Sequence, residues 1–241
     1  NVAIGALALD TNTTGCFNVA VGRQSMDANT EGCFNTAVGS YSMCKNTTGD
    51  FNVGIGQDAL FTNTTADDNT AVGYKAMCLN ETGGNNTAVG FCALAANTSA
   101  SDNVAIGYTA GGCNTTGSKN IYIGFQAGDV TTTPTANVFI GYQAGDANTT
   151  GASNTAVGCG ALGANQTAEC NTAIGKGALL VNVTGDNTAV GVNAFVAVNS
   201  GSQNTALGQR AGCTTTSGVC NTYIGRSAIG SAADNNNEVV V

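Results

Sequence analysis

The sequence predicts an all-β fold, a parallel β-solenoid (β-helix or β-roll) of 14 repeats with one 17-residue coil per repeat. First, a five-residue motif of the type Asn-Thr-Ala-Val-Gly occurs 14 times, and its starts are 17 residues apart except for one interval of 16. Second, glycine ends every copy and β-branched residues precede it, which opposes a helix. Third, apolar residues alternate with period two up to that glycine, which is typical of a short strand. Stacking each coil on the last then pairs the strands in parallel.

Each repeat is numbered here from its asparagine, so position 1 falls at residues 1, 18, 35, 52, 69, 86, 103, 120, 137, 154, 171, 187, 204 and 221. The repeats fill residues 1–237, which we predict to form a single solenoid array. Residues 238–241 remain as a C-terminal tail with three β-forming valines. Such a tail can add to the sheet of a following subunit, so we expect it to act as an inter-subunit strand.

The recurrent residues have predicted structural roles. Val or Ile at position 4, as in Ile4, Val21, Val38 and Ile55, is expected to point inward, together with Leu or Met at position 9 and a small residue at position 8. An Asp in place of Val89 is then expected to destabilise the fold. Glycine at position 5 is expected to need a positive φ or a close backbone approach. The asparagines at position 1 are expected to stack as a hydrogen-bonded ladder.

Repeats such as NVAIGALAL at residues 1–9 and NTAVGCGAL at residues 154–162 resemble the head repeats of trimeric autotransporter adhesins. They are also similar to N-T-A-[VI]-G arrays in fibre proteins of phages and large viruses. The resemblance covers nearly the whole chain and implies a left-handed parallel β-roll, trimerisation and adhesion. The chain differs from the adhesin pattern in its longer repeat and its 10 cysteines.

Asn-x-Thr/Ser triplets recur along one edge of the predicted coil. No asparagine at position 1 has Ser or Thr two residues later, whereas position 12 supplies nine such triplets. This asymmetry predicts that the position 12 column faces solvent and carries N-linked glycans, although Asn and Thr also suit turns. The predicted acceptors are Asn12, Asn46, Asn63, Asn80, Asn97, Asn114, Asn148, Asn165 and Asn182, with Asn85 as a tenth site.

The chain has 10 cysteines, no histidine and no Cys-x-x-Cys spacing, which favours an oxidising, extracellular compartment over zinc or redox sites. Cys16 and Cys33 occupy position 16 of adjacent repeats, so stacking predicts Cα atoms about 5 Å apart, within disulfide range. Cys213 and Cys220 are predicted to close a loop within one repeat. A Cys92–Cys113 bridge and links to a neighbouring subunit remain alternatives for the other six, which are Cys44, Cys78, Cys92, Cys113, Cys159 and Cys170.

The same sequence argues against an enzyme, because it has no histidine and no inserted loop on which a site could be assembled. No cofactor is predicted. The weak candidates for calcium are Asp10 with Asp27 and Asp129 with Asp146, which repeat at position 10, and solvated surface carboxylates are the alternative. A net charge of −8 with seven Lys and Arg residues argues against nucleic acid, and no apolar run is long enough for membrane insertion.

An aromatic column at position 6 comprises Tyr74, Phe91, Tyr108, Phe125 and Tyr142. Its rings are expected either to stack against sugars or a partner chain, or to stiffen the solenoid as a ladder.

Together these features predict a structural extracellular fibre protein, secreted or at the cell surface, N-glycosylated, stabilised by disulfides and self-assembling head to tail. The alternative is a trimeric adhesin-type fibre head that binds a receptor or a glycan. A third candidate, an ice-binding solenoid, is less favoured because adjacent threonines such as Thr13 and Thr14 diverge. The expected partners are therefore further copies, as a filament or a homotrimer, and glycans or a cell-surface receptor.

Overall fold

A computed structural model describes residues 1–198 and 200–241. As predicted, the fold is an all-β parallel solenoid in which each repeat forms one coil, here called a rung. The chain forms two compact units, unit 1 at residues 1–120 and unit 2 at residues 121–241. No segment within residues 1–198 or 200–241 is helical.

The strands of both units are short. Those of unit 1 are β1 Val2–Ile4, β2 Val19–Val21, β3 Thr36–Val38, β4 Val53–Ile55, β5 Thr70–Val72, β6 Thr87–Val89 and β7 Val104–Ile106. Those of unit 2 are β8 Ile121–Ile123, β9 Val138–Ile140, β10 Thr155–Val157, β11 Thr172–Ile174, β12 Thr188–Val190, β13 Thr205–Leu207, β14 Thr222–Ile224 and β15 Val239–Val240.

Within each unit, successive strands pair in parallel and equal repeat positions face each other. Thr70 of β5, for example, pairs with Thr87 of β6. The 16-residue repeat keeps this register, because Thr172 pairs with Thr188. Backbone bonds also join the rungs outside the strands, as between the Met43 amide and the Ala59 carbonyl at 2.9 Å. The register therefore extends around the whole coil.

The C-terminal tail continues the sheet of its own chain. Val239 of β15 pairs with Thr222, and the Glu238 amide donates to Asn221 Oδ1 at 2.8 Å. Glu238 thus takes position 1 of a further rung. A role of the tail between subunits stays a prediction, and it would use the outer edge of β15.

The structure corrects the predicted faces of the strands. The position 3 residues Ala20, Ala37 and Ala71 are fully buried, whereas Ile4 and Leu207 at position 4 are 59% and 49% exposed. The prediction that position 4 points inward is therefore wrong, and this includes Ile4, Val21, Val38 and Ile55. The physical reason is the narrow coil: an alanine faces the wall opposite, and the larger aliphatic side chain is directed outward.

The predictions for positions 8 and 9 are confirmed. Ser42 and Ala59 at position 8 and Met43 and Leu60 at position 9 are fully buried. These side chains and the position 3 residues form a thin core within each rung.

In two of the three rungs with an aromatic residue at position 3, position 9 is glycine; the third has Tyr223 with Ile229, which is 43% exposed. Tyr122 faces Gly128, where an added Cβ would lie 2.5 Å from Tyr122 Cδ1. Phe139 faces Gly145 in the same way, with 2.6 Å to Phe139 Cδ2. In these two rungs the aromatic ring fills the volume that an inward side chain at position 9 would need.

Glycine at position 5 is required for both predicted reasons. Gly39 has a φ of 138°, and a Cβ there would lie 2.5 Å from the carbonyl oxygen of Gly56 in the next rung. Position 9 shows a conformation that the sequence did not predict, since Met43 and Leu60 both have a φ of 50°. Left-handed geometry costs such a residue roughly 1–2 kcal/mol, which burial of its side chain offsets.

Two neighbouring residues of β6 test the corrected faces. Ala88 is fully buried and Val89 is only partly buried. We expect Ala88→Asp to lower the free energy of unfolding by about 3 kcal/mol or more, because it places an unpaired charge in the core. Val89→Asp should cost about 1 kcal/mol, the loss of β propensity on an outward face. Urea unfolding followed by circular dichroism measures both, and a larger effect from Val89→Asp would contradict the assignment.

Candidate functional site on the outward strand face

The outward face of the strands presents one aliphatic side chain in every rung. We define the strand-face strip as the position 4 residues together with the position 2 residues of the same strands. In unit 1 the position 4 residues are Ile4, Val21, Val38, Ile55, Val72, Val89 and Ile106, and in unit 2 they are Ile123, Ile140, Val157, Ile174, Val190, Leu207 and Ile224. Position 2 is Val, Ile or Thr in every repeat.

Local geometry directs these side chains outward. Successive side chains of a strand point to opposite faces, so positions 2 and 4 share the face opposite the buried alanine. The strip contains no charged residue, although the whole chain has a net charge of −8. Ile106 in unit 1 and Ile174 in unit 2 are each 40% exposed. The result in each unit is an uncharged surface with one aliphatic side chain and one Val, Ile or Thr side chain per rung.

Stacked aromatic rings follow the strip in the chain, at position 6. In unit 1 the Tyr74 and Phe91 ring centres are 5.2 Å apart, and those of Phe91 and Tyr108 are 5.0 Å apart. In unit 2 Phe125 and Tyr142 stack at 5.2 Å. The ring faces cover one another, so mainly edges are presented outward. This geometry favours the stiffening ladder over a platform for sugar rings.

A second aromatic stack precedes the strip at position 17 of the first three rungs, and the sequence analysis missed it. The Phe17 and Phe34 ring centres are 4.9 Å apart, and those of Phe34 and Phe51 are 5.0 Å apart. Phe17 is 69% exposed. The signal was present in the sequence, since the three phenylalanines share one repeat position.

Two asparagine ladders run inside the coil, one at position 1 and one at position 12. The predicted position 1 ladder exists: the Asn35 backbone amide donates to Asn18 Oδ1 at 2.9 Å, and Asn35 Nδ2 donates to the Gly49 carbonyl at 2.7 Å. At position 12, Asn46 Nδ2 donates to Asn29 Oδ1 at 2.9 Å and to the same Gly49 carbonyl at 3.0 Å. Both ladders thus meet at the carbonyl of position 15.

The prediction that the position 12 column faces solvent is wrong. Asn12 is partly buried, and the other eight acceptors at this position are fully buried, namely Asn46, Asn63, Asn80, Asn97, Asn114, Asn148, Asn165 and Asn182. Along most of the ladder, the nitrogen that would receive a glycan already donates two hydrogen bonds within the core, as at Asn63 and Asn97. A sugar on that nitrogen would remove a donor and would have to pass through the wall of the coil.

Asn85 is placed differently from the other nine predicted acceptors. It occupies position 17, is exposed and has a φ of 58°. Its backbone amide donates to the Asp67 carbonyl at 3.2 Å, which leaves the side chain on the surface. Thr87, the hydroxyl residue of the triplet, belongs to the outward face of β6. This triplet alone combines an exposed asparagine with the acceptor sequence.

The structure brings together one of the two predicted cysteine pairs. Cys16 Sγ and Cys33 Sγ are 2.7 Å apart. The structure shows no contact between the free thiols of Cys213 and Cys220, and Cys220 Sγ contacts Gln203 Oε1 of the preceding rung at 3.3 Å. Positions 10 and 17 lie in different segments of the coil, so a shared rung does not place their side chains side by side.

The predicted calcium positions gather too few ligands. In the described part of the chain, no group of three or more Cys, Asp or Glu side chains could hold a metal ion. Asp10 is exposed, and Asp27 Oδ2 accepts a bond from Gln24 Nε2 at 3.1 Å. Burial raises the pKa of the Asp146 carboxyl, and the neighbouring Asp129 adds to the rise. These carboxylates are therefore two separate pairs at most.

Comparisons with protein-family models, with curated proteins and with solved structures find no match to this chain. The residues that the structure describes include no helix of the length and apolarity that crossing a membrane requires. The case for a function therefore rests on the surface chemistry of the solenoid itself.

Asn80 tests the buried ladder. Asn80→Ala removes the donor to Asn63 Oδ1 and to the Gly83 carbonyl, and it deprives Asn97 Nδ2 of one of its two acceptors. We expect the free energy of unfolding to fall by about 2–4 kcal/mol, because buried polar groups lose their partners. Asn85→Ala, the exposed control, should cost only about 1 kcal/mol, because alanine tolerates its φ of 58° less well than asparagine. Equal urea midpoints for the two variants would show that the ladder carries no stability.

Changes to the triplet at Asn85 test the predicted N-glycosylation. Expressed through a eukaryotic secretory pathway, folded chain should carry its N-linked glycan on Asn85, since a chain modified at position 12 could not complete the ladder. Thr87→Ala should remove this glycan, while the matched change Thr82→Ala, which eliminates the triplet at Asn80, should leave it unchanged. Glycopeptide mass spectrometry of the secreted protein checks this, and glycans at position 12 of folded chains would contradict it.

Proposed function

We propose that this chain is a structural fibre protein whose copies associate side by side along the strand-face strip. The observation that carries the proposal is the strip itself, an aliphatic residue at position 4 of every repeat, with none replaced by a charged or polar one. Surface aliphatics scattered singly need no explanation, but a contiguous apolar face marks an interaction surface. Nothing in the packing of the coil requires large aliphatic side chains on its outside.

A second copy of the chain is the occupant that best fits this strip. A partner must offer an uncharged apolar surface that repeats with the spacing of the rungs, about 4.8 Å for hydrogen-bonded strands. Another copy offers the same side chains at the same spacing. The charged residues that give the net charge of −8 all lie at other repeat positions, so the like charges of two copies need not meet at the contact.

The single strip limits the kind of assembly. A subunit with one interaction surface buries that surface in a closed dimer or trimer. An unlimited filament, in contrast, needs two different interaction surfaces on each subunit. The strip is therefore compatible with a closed dimer and with the homotrimer that the resemblance to adhesin heads implies. We further propose that these closed oligomers contact one another head to tail and so form long extracellular fibres.

Receptor or glycan binding, as in an adhesin head, is a weaker second candidate. The exposed edges of Phe17, Phe34 and Phe51 favour binding of an apolar receptor surface over binding of a glycan, because the stacked rings offer an apolar ridge apart from the strip. The strip is explained by association between copies and not by receptor or glycan binding. We therefore prefer the structural role to the adhesin role.

Charges on the strip test the proposal. The double change Ile55→Glu and Ile106→Glu should convert a closed oligomer into monomers, because association would bury both carboxylates. The matched control, Thr65→Glu with Thr116→Glu, adds the same charges to the same rungs at position 14, where both threonines are exposed, and should leave the oligomer intact.

Light scattering coupled to size-exclusion chromatography gives the mass, and circular dichroism confirms that each variant is folded. A parent chain that stays monomeric up to about 1 mM would contradict the proposal, since association would then contribute less than about 4 kcal/mol. A control variant that dissociates as fully as the strip variant would contradict the assignment of the strip.

A further inference from the structure

The first two rungs place two thiols in direct contact on the outside of the coil. Cys16 and Cys33 share position 16, and the parallel pairing of Val2–Ile4 with Val19–Val21 holds their rungs in register. The two sulfur atoms are 2.7 Å apart, and the Cys16 backbone amide donates to Cys33 Sγ at 3.0 Å. The contact is independent of the strip and of any association.

Backbone hydrogen bonds orient this pair. At position 16, the backbone amide of one rung donates a hydrogen bond to the position 16 side chain of the next rung. The Cys33 amide donates in this way to Asp50 Oδ1 at 2.6 Å, and the Asp50 amide donates to Asp67 Oδ1 at 2.7 Å. Each side chain in the column is thereby directed toward the preceding rung, and Cys33 Sγ toward Cys16.

We infer that Cys16 and Cys33 are a built-in oxidation site, where a small-molecule disulfide such as oxidised glutathione converts two thiols into a covalent bond between rungs. A cysteine thiolate attacks the reagent disulfide and releases one reduced glutathione. The second cysteine thiolate attacks the resulting mixed disulfide and releases another. The two cysteines lose two protons and two electrons, and the reagent disulfide gains them.

The site is selective, because the other eight cysteines lack this arrangement. None of them shares its repeat position with a cysteine of an adjacent rung. Cys44 and Cys78, which share position 10, are two rungs apart and serve as the matched comparison. Selectivity therefore comes from the contact between the two sulfur atoms and not from acidity, since the hydrogen bond with Cys33 raises the pKa of the Cys16 thiol and burial raises the pKa of the Cys44 and Cys78 thiols.

The cross-link acts locally. It closes a loop of 17 residues that comprises one full rung, and in a solenoid each rung contacts only its neighbours. Oxidation should therefore slow hydrogen exchange of the backbone amides in β1 and β2, by about tenfold or more, because the bond opposes local opening of these two rungs. Amides of β10–β12 should keep the same exchange rates in both redox states.

The experiment uses the full chain, first reduced and then incubated with oxidised glutathione. Remaining thiols are alkylated, and peptide mapping locates the bonds. The expected product links Cys16 to Cys33 and leaves Cys44 and Cys78 alkylated. Cys16→Ser and Cys33→Ser should each abolish the linked peptide and the slowed exchange, whereas Cys44→Ser should affect neither.

Alkylation of both Cys16 and Cys33 after oxidation would overturn the inference. A linked peptide between Cys44 and Cys78 at equal yield would overturn its selectivity. Either result leaves the proposed side-by-side association untouched, because that is measured by mass in the reduced chain.

Discussion

The structure depends on the hydrogen bonds that hold each rung in register with the next. Strand pairing supplies part of this constraint, but three residues per strand give few bonds. The asparagine ladders supply the rest, since two side-chain amides from positions 1 and 12 converge on one backbone carbonyl at position 15, as at Gly49. These buried amides are satisfied only when neighbouring rungs align. A slip by one residue would leave polar groups without partners along the whole ladder.

This alignment explains the distribution of side chains between the inside and the outside. Rungs locked at hydrogen-bonding distance enclose a coil too narrow for large residues on both walls, so alanine at position 3 faces methionine or leucine at position 9. The larger aliphatic residues of the strand are then left on the outer face. The narrow core therefore determines that the position 4 side chains lie outside but not that they are aliphatic, and the strip recurs for as long as the repeat does.

The sequence was sufficient for the features that depend on spacing alone. Repeat length, parallel pairing, glycine at position 5 and the small residue at position 8 follow from a fixed period and from local steric rules. The strand faces were misassigned because period-two alternation has two equivalent solutions, and the usual preference for large aliphatics inside selected the wrong one. Ala88 is buried and Val89 is only partly buried because the coil is narrow, and the width of the coil cannot be read from the sequence of one repeat.

The asparagines show a different limit. An Asn-x-Thr triplet reads the same whether its amide receives a sugar or bonds to the next rung, and only the three-dimensional position separates Asn80 from Asn85. The left-handed backbone at Met43 was equally hidden, although glycine at the same position of other repeats is consistent with it. Stacking removes this local ambiguity, because each rung adopts the same backbone conformation and the same side-chain orientation as the rung before it.

The 16-residue repeat shows where the coil tolerates a change of length. Residues 171–186 lack one residue, yet Thr172 still pairs with Thr188, and the Asp186 amide still donates to the Glu169 carbonyl at 3.2 Å. The missing residue is absorbed in the turn before β12, outside both the strand and the buried alanine. We therefore expect that turn to accept a grafted peptide, such as an epitope or affinity tag, more readily than the strands, since a change of length there leaves strand pairing intact.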